Sequence, residues 1–245
     1  MPVLQPIIDR IARNETISRD EALAFASDPA LRADLFDTAA EATKRFASRI
    51  FNICGIVSIK TGACSCDCRW CAQSAHWPSS SIPIHPILPV SEVDAAAEHA
   101  AAGGITRFSL VASGRKPSAR ETRMYAEHLK KLRSTNPKLE LCASLGLLNE
   151  KDLALLKEVG LVRVHCNLET SERFFPQVCS SHTWEDKVKT IRAAKAAGLE
   201  VCSGGLFGMG ETAEDRIDLA FALRELEVPS IPLNLLDPRP GTPLE

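Results

Sequence analysis

The stretch LELCASLGLLNEKDLALLKEVGLVRVHCNL, residues 139–168, holds a strand, a helix and a second strand in that order. LELCAS (139–144) and VRVHCNL (162–168) are short runs rich in β-branched and apolar residues, while NEKDLALLKEVG between them has the Leu, Lys, Glu and Ala content of a helix. Gly160 stands immediately before the second strand, where a glycine ends a helix and opens the turn into the sheet. Strand, helix, strand in succession makes a right-handed βαβ unit, with its two strands parallel.

The same alternation extends in both directions. Further strands are expected at IVSIK (56–60), TRFSLVA (106–112), LEVCSG (199–204) and SIPLNL (230–235). Between and after them lie the helix-like segments VSEVDAAAEHAAAG, SARETRMYAEHLKKLRS, TWEDKVKTIRAAKAAG and ETAEDRIDLAFALREL, and Gly104 and Gly198 repeat the role of Gly160. Six such units predict an α/β fold, a parallel (βα) barrel of the TIM type that is either open at six strands or part of a larger barrel. A doubly wound sheet is the runner-up on strand count alone. The first fifty residues differ: Ser18 precedes RDEALAFA, and an Ala/Leu-rich run extends from Leu31 to Ser48. The expected division is an N-terminal helical segment, 1–50, followed by the barrel domain, 51–245.

With 245 residues and 45% hydrophobic content the chain can bury a full core. A formal net charge of -2 provides no field to gather nucleic acid or an anionic membrane. The opening MPVLQPIIDRIARNET lacks the pattern of a secretory signal, and no apolar run is long enough to span a bilayer, so a cytoplasmic location is expected. Nine cysteines are many for a reducing compartment, and Cys54, Cys64, Cys66, Cys68 and Cys71 fall in one short stretch. Such crowding points to metal rather than to disulfides.

In KTGACSCDCRWCAQSAHW (60–77), Cys64, Cys68 and Cys71 can each bind one iron of a cubane, leaving the fourth iron open to a small molecule. The competing reading is a structural zinc knuckle, for which Cys68 and Cys71 make half a site. If the strands are placed correctly, Cys142, Asn167, Glu169, Cys202, the glycine run GGLFGMGE (204–211) and Asn234 gather at or near the C-terminal ends of the strands, the catalytic face of a parallel barrel. Alone, the glycine spacing could also belong to a dinucleotide loop, although that loop is expected after a first strand.

KTGACSCDCRWCAQS, with its Cys-x3-Cys-x2-Cys frame and an aromatic residue, Trp70, before the last cysteine, resembles the cysteine loop of the radical S-adenosylmethionine (SAM) superfamily. Within it the resemblance is greatest to the biotin synthases, and it continues through TRFSLVASGRKPS, NLETSERFFPQV, AGLEVCSGGLFGMGETAEDR and PLNLLDPRPGTPL, covering roughly residues 50–245. It implies a 4Fe-4S cluster on Cys64, Cys68 and Cys71 that binds SAM and cleaves it to methionine and a 5′-deoxyadenosyl radical. It further implies conversion of dethiobiotin to biotin, with sulfur taken from an auxiliary iron–sulfur cluster. Asn167 and Glu169 then match the pair that contacts the SAM sugar and the substrate, Gly205, Gly208 and Gly210 the segment beside the adenosyl group, and Asn234 a substrate contact. Implied partners are dethiobiotin or a similar small molecule, a one-electron reductant such as flavodoxin or ferredoxin, and a second copy of the chain in a homodimer.

The pattern departs from the family at the auxiliary site. Cys142 and Cys202 match two of its three cysteines, but the third position is Ser109, a far poorer iron ligand than a thiolate, and the arginine that completes the set would lie beyond Glu245. Cys66 is the spare thiol best placed to join a different auxiliary cluster, while Cys166 and Cys179 read as buried free cysteines. Glu169 stands where the biotin synthases have aspartate, which keeps related radical SAM enzymes, hydrogenase-maturase-like or methylornithine-synthase-like, in view. His76, His85, His99, His128 and His182 read as solvent-facing. His165, two residues before Asn167, is expected to face the barrel interior.

Overall fold

The computed structural model describes residues 5–13, 15–77 and 82–245. Residues 1–4 and 14, part of the opening stretch read above, lie outside the described residues. Three helices come first, α1 (Gln5–Ala12), α2 (Arg19–Ser27) and α3 (Arg32–Phe46). Ser18 caps α2 reciprocally: its hydroxyl accepts from Glu21 N at 3.2 Å and Glu21 accepts from Ser18 N at 2.7 Å.

The barrel strands and helices alternate as the pattern predicts: β1 (Cys54–Lys60), α4 (Val90–Ala102), β2 (Arg107–Ala112), α5 (Ala119–Thr135), β3 (Glu140–Ser144), α6 (Glu150–Glu158) and β4 (Leu161–His165). Then follow α7 (Phe175–Val178), α8 (Trp184–Ala196), β5 (Glu200–Cys202), β6 (Gly205–Phe207), α9 (Ala213–Glu225) and β7 (Leu233–Leu235). Strands β1 to β5 form one sheet, all parallel and in chain order. Parallel bridges from Cys202 to Ser230 and from Glu169 to Gly205, together with the β6–β7 pair, carry the curvature onward without closing it. The fold is an open parallel (βα) barrel.

The expected strand LEVCSG (199–204) shortens to β5, and β6 is a further strand in the glycine run, where none was expected. LEVCSG breaks after Cys202 because Gly204 is pressed against Pro232, whose carbonyl a Cβ at that position would strike. Residue alternation divides each strand between two environments. Outward residues such as Ile59, Leu110, Leu141 and Val164 pack in the main core beneath the helices, with Leu129, Leu153, Ile191 and Leu223 among their partners. Inward residues line the open centre, and they are the chemically unusual ones.

The N-terminal helices are tied to the barrel through α9. Arg19 donates to Asp218 at 2.6 Å and to Glu214 at 2.7 Å. At the start of α9, buried Asp215 accepts from Ser171 Oγ at 2.6 Å, Arg173 at 2.8 Å and Thr212 N at 2.9 Å. Burial works against its ionisation, but these bonds hold the carboxyl down at about 2. The folded value lies below the unfolded value of about 4. Stability from this network is therefore complete above about pH 4 and drains as pH falls toward 2. Asp215→Asn should cost about 2 kcal/mol at pH 7, and its unfolding free energy should fall less than the wild type's between neutral and acid pH in urea titrations.

Candidate active site

The loop after β1 carries Cys64 to Cys71 and is pinned to the segment that follows α7. Asp67 accepts from the backbone of Ser180 at 3.0 Å and of Ser181 at 2.8 Å, and Arg69 N donates to Val178 O at 2.9 Å. Although Asp67 is partly buried, these hydrogen bonds hold its carboxyl below the usual carboxylate range. Trp77 Nε1 fixes the far side of the loop by donating to Cys68 O at 3.0 Å. The cysteines therefore sit on a fixed frame rather than a free loop.

A cavity of about 240 Å³ opens at the C-terminal ends of the strands, and Cys64, Cys66, Cys68, Cys71, Trp70, Asn167, Glu169 and His182 all line it. Of the thiols that line it none is in a disulfide, and Cys64, Cys68 and Cys71 among them give a donor set suited to an iron–sulfur cluster. Asn167 holds the break between β5 and β6, its Oδ1 accepting from Gly204 N at 2.9 Å. Its Nδ2 donates to Glu169 at 3.4 Å, and its carbonyl accepts from Lys187 Nζ at 2.8 Å. Asn167 thus shapes the strand break rather than capping the turn after it. Glu169 has φ +72°, the left-handed region that only a few non-glycine residues occupy. Burial raises its carboxyl above the ordinary value, opposed by Lys187 and Asn167.

The glycine run lies beside this cavity, not on its wall. Gly205 pairs with Glu169 across a parallel bridge, and Asn234 Nδ2 donates to Gly205 O at 3.3 Å. Gly208 and Gly210 adopt φ +99° and +105° in a turn closed by Glu211, whose carboxylate accepts from Gly208 N at 2.9 Å and Met209 N at 2.8 Å. Trp70 packs against the small apolar cluster of Phe174, Val178 and Met209 beneath that turn.

Two histidines read as solvent-facing are buried instead. His128, 3% exposed, sets its ring nitrogens 2.7 and 2.9 Å from the carbonyls of Met124 and Leu88. His182 lies 3.3 Å from Cys179 Sγ, which is 3.7 Å from Cys68 Sγ, and the three form a group able to hold a metal ion. Burial disfavours the charged ring, yet contacts to Cys179 and Cys66 outweigh it and raise His182 to about 9. The contacts that bury them are partly distant in sequence: Leu88 O lies forty residues before His128, and Cys68 more than a hundred before Cys179 and His182.

A second cavity, of about 520 Å³, occupies the barrel interior behind the first, and Ser144 and His165 line both. Cys142, Cys202 and Ser109 face it, and so does Cys54, which the sequence reading grouped with the loop. Burial pushes the Cys142 thiol up to about 11. Cys66 belongs to the first cavity and is not brought together with Cys142 and Cys202.

Residues 58–223 match the Radical SAM superfamily profile. The biotin synthase of Porphyromonas gingivalis is 44% identical over 243 residues, 99% of this chain and 73% of that protein. The chain is a radical SAM protein of the biotin synthase family. Within that family, the biotin synthase of Sulfurihydrogenibium sp. is 42% identical over 100% of the chain and 73% of its own length, and that of Heliobacterium modesticaldum is 48% identical over 86% and 64%. Among solved structures, methylornithine synthase superposes with TM-score 0.84 at 19% identity, covering 98% of this chain and 70% of that one. HydG, a maturase of the [FeFe]-hydrogenase, does so with TM-score 0.80 at 18% identity over 97% and 57%. These two likenesses show the shared fold alone. No helix among the described residues is long and apolar enough to cross a membrane.

Proposed function

We propose that this protein converts dethiobiotin to biotin, with a 4Fe-4S cluster held by Cys64, Cys68 and Cys71 and a second iron–sulfur cluster in the barrel interior. The observation that carries this reading is the pair of adjoining cavities: the three-cysteine frame lines one, Cys142 and Cys202 line the other, and His165 lines both. Bound there, the clusters and SAM supply radical hydrogen abstraction and a source of sulfur.

The chain's own part is to bind, orient and shield. Asn167 and Glu169 offer amide and carboxylate groups to hydroxyl and N–H groups at the first cavity. Asn234 is placed to act indirectly, through Gly205 and the bridge to Glu169. Trp70 closes one side with apolar surface. Gly208 and Gly210 let the backbone turn tightly beside the cavity, and Gly205 leaves room in β6 for close packing, which suits close approach of the adenosyl group of SAM. A flavodoxin- or ferredoxin-type donor supplies electrons, and free thiols throughout suit a reducing compartment such as the cytoplasm. The N-terminal helices (1–50) act as a packing segment for the barrel domain (51–245), and a homodimer is the assembly we assign by analogy with the family.

The test is direct. Anaerobically reconstituted protein, given dethiobiotin, SAM and a reductant, should produce biotin together with 5′-deoxyadenosine. Ser109 and Glu169 favour a second reading, a radical SAM enzyme without sulfur insertion; 5′-deoxyadenosine without biotin would select it.

A further inference from the structure

The interior cavity contains more ligands than Cys142 and Cys202. β1 begins at Cys54, two residues before the apolar run that marks it in sequence, and its alternation turns Cys54 inward. Cys54 stands in register with Arg107 on β2, Cys142 stands opposite Ser109 on β2 and Arg163 on β4, and Cys202 stands opposite His165. The three thiols thus come from β1, β3 and β5, and the two guanidinium groups from β2 and β4. Alternate strands of a parallel barrel contribute to a common interior, so this spacing turns all three side chains into one cavity.

The charge pattern fits a cluster. Thiolates and bridging sulfide are anionic, and Arg107 and Arg163 line the same cavity, each also paired at 2.6 Å with a carboxylate, Glu140 and Glu200 respectively. Arg107 Nη1 is buried without a hydrogen bond, 3.5 Å from Glu200, so one buried donor has no hydrogen-bond acceptor. Cys54 lies within electrostatic reach of Cys202 and Cys142, and of both arginines. Cys66, the other spare thiol, faces the adjoining cavity.

We propose that Cys54 supplies the third thiolate of the auxiliary cluster, with Cys142 and Cys202, in place of the one that Ser109 cannot provide. The ligand has moved one strand over, from β2 to β1, while the cavity keeps its place in the barrel. This rests on the two-cluster reading above.

The test counts clusters rather than product. Anaerobic reconstitution of the wild type should load a cluster whose reduced electron paramagnetic resonance (EPR) signal responds to SAM, plus a second, SAM-insensitive cluster resolved by Mössbauer spectroscopy. Cys54→Ala should lose the second and keep the first, with iron falling to about four per chain. Ser109→Ala should keep both, and Cys54→Ala/Ser109→Cys should regain the second. Alkylation of the reconstituted wild type supplies a readout independent of any substitution: Cys54 should be protected from iodoacetamide and become reactive after chelation. A second cluster undiminished in Cys54→Ala, a Cys54 freely alkylated in the loaded protein, or a wild type that never loads a second cluster would each overturn the proposal. Loss of the SAM-responsive signal from the wild type would instead overturn the functional reading on which it rests.

Discussion

Alanine at Cys64, Cys68 or Cys71 is expected to lower 5′-deoxyadenosine formation by at least about three orders of magnitude, a loss of roughly 4 kcal/mol or more in transition-state stabilisation. Each thiolate holds one iron, and two ligands do not retain a cubane against the reducing, chelating conditions of turnover. The loop itself should survive the change. Asp67 is anchored by Ser180 and Ser181, Arg69 by Val178 and Cys68 O by Trp77, and none of these contacts uses a cysteine sulfur of the frame. The variants should therefore keep the wild-type circular dichroism spectrum while losing iron, SAM cleavage and product together. Quantifying 5′-deoxyadenosine by mass spectrometry after anaerobic reduction checks this.

Cys142→Ala and Cys202→Ala should act on the other half of the reaction. Biotin formation is expected to fall by at least about 100-fold, while SAM cleavage stays within roughly threefold of wild type, because the two cavities share only their boundary at Ser144 and His165. Such a split separates two sites that a simple activity assay would merge. If 5′-deoxyadenosine and biotin fell in parallel, the interior thiols would be supporting the first site rather than furnishing a second one.

Much of this is legible in the amino-acid sequence. The strands and helices around Gly160 were visible because local pattern decided them: apolar runs of strand length, Ala- and Lys-rich helices, and glycines with positive φ at 104, 160 and 198. The cysteine frame was visible because its ligands lie within eight residues of each other in sequence. What local pattern could not show was which residues meet across the barrel. Cys54 precedes a glycine at the entrance to β1, where neither residue favours a strand, and it joins the sheet only because Ile53 O and the Cys54–Arg107 pair tie it to β2. His182 and His128 looked exposed because Cys68, which meets the Cys179–His182 pair, and Leu88 O come from distant loops. The break between β5 and β6 depends on Pro232, nearly thirty residues downstream in sequence.

These residues also divide the chemistry spatially. Side chains that fix geometry, such as Asn167 at the strand break and Glu211 in the glycine turn, are satisfied within the protein. The thiols and Nη1 of Arg107 face open cavities, where a ligand would complete them.

The central claim is that Cys64, Cys68 and Cys71 leave one iron open to SAM. EPR spectroscopy of the reduced, anaerobically purified protein, recorded with and without SAM, tests it most directly. The expected result is a brown protein whose cluster signal changes when SAM is added. A colourless protein carrying stoichiometric zinc, or a cluster signal indifferent to SAM, would contradict it.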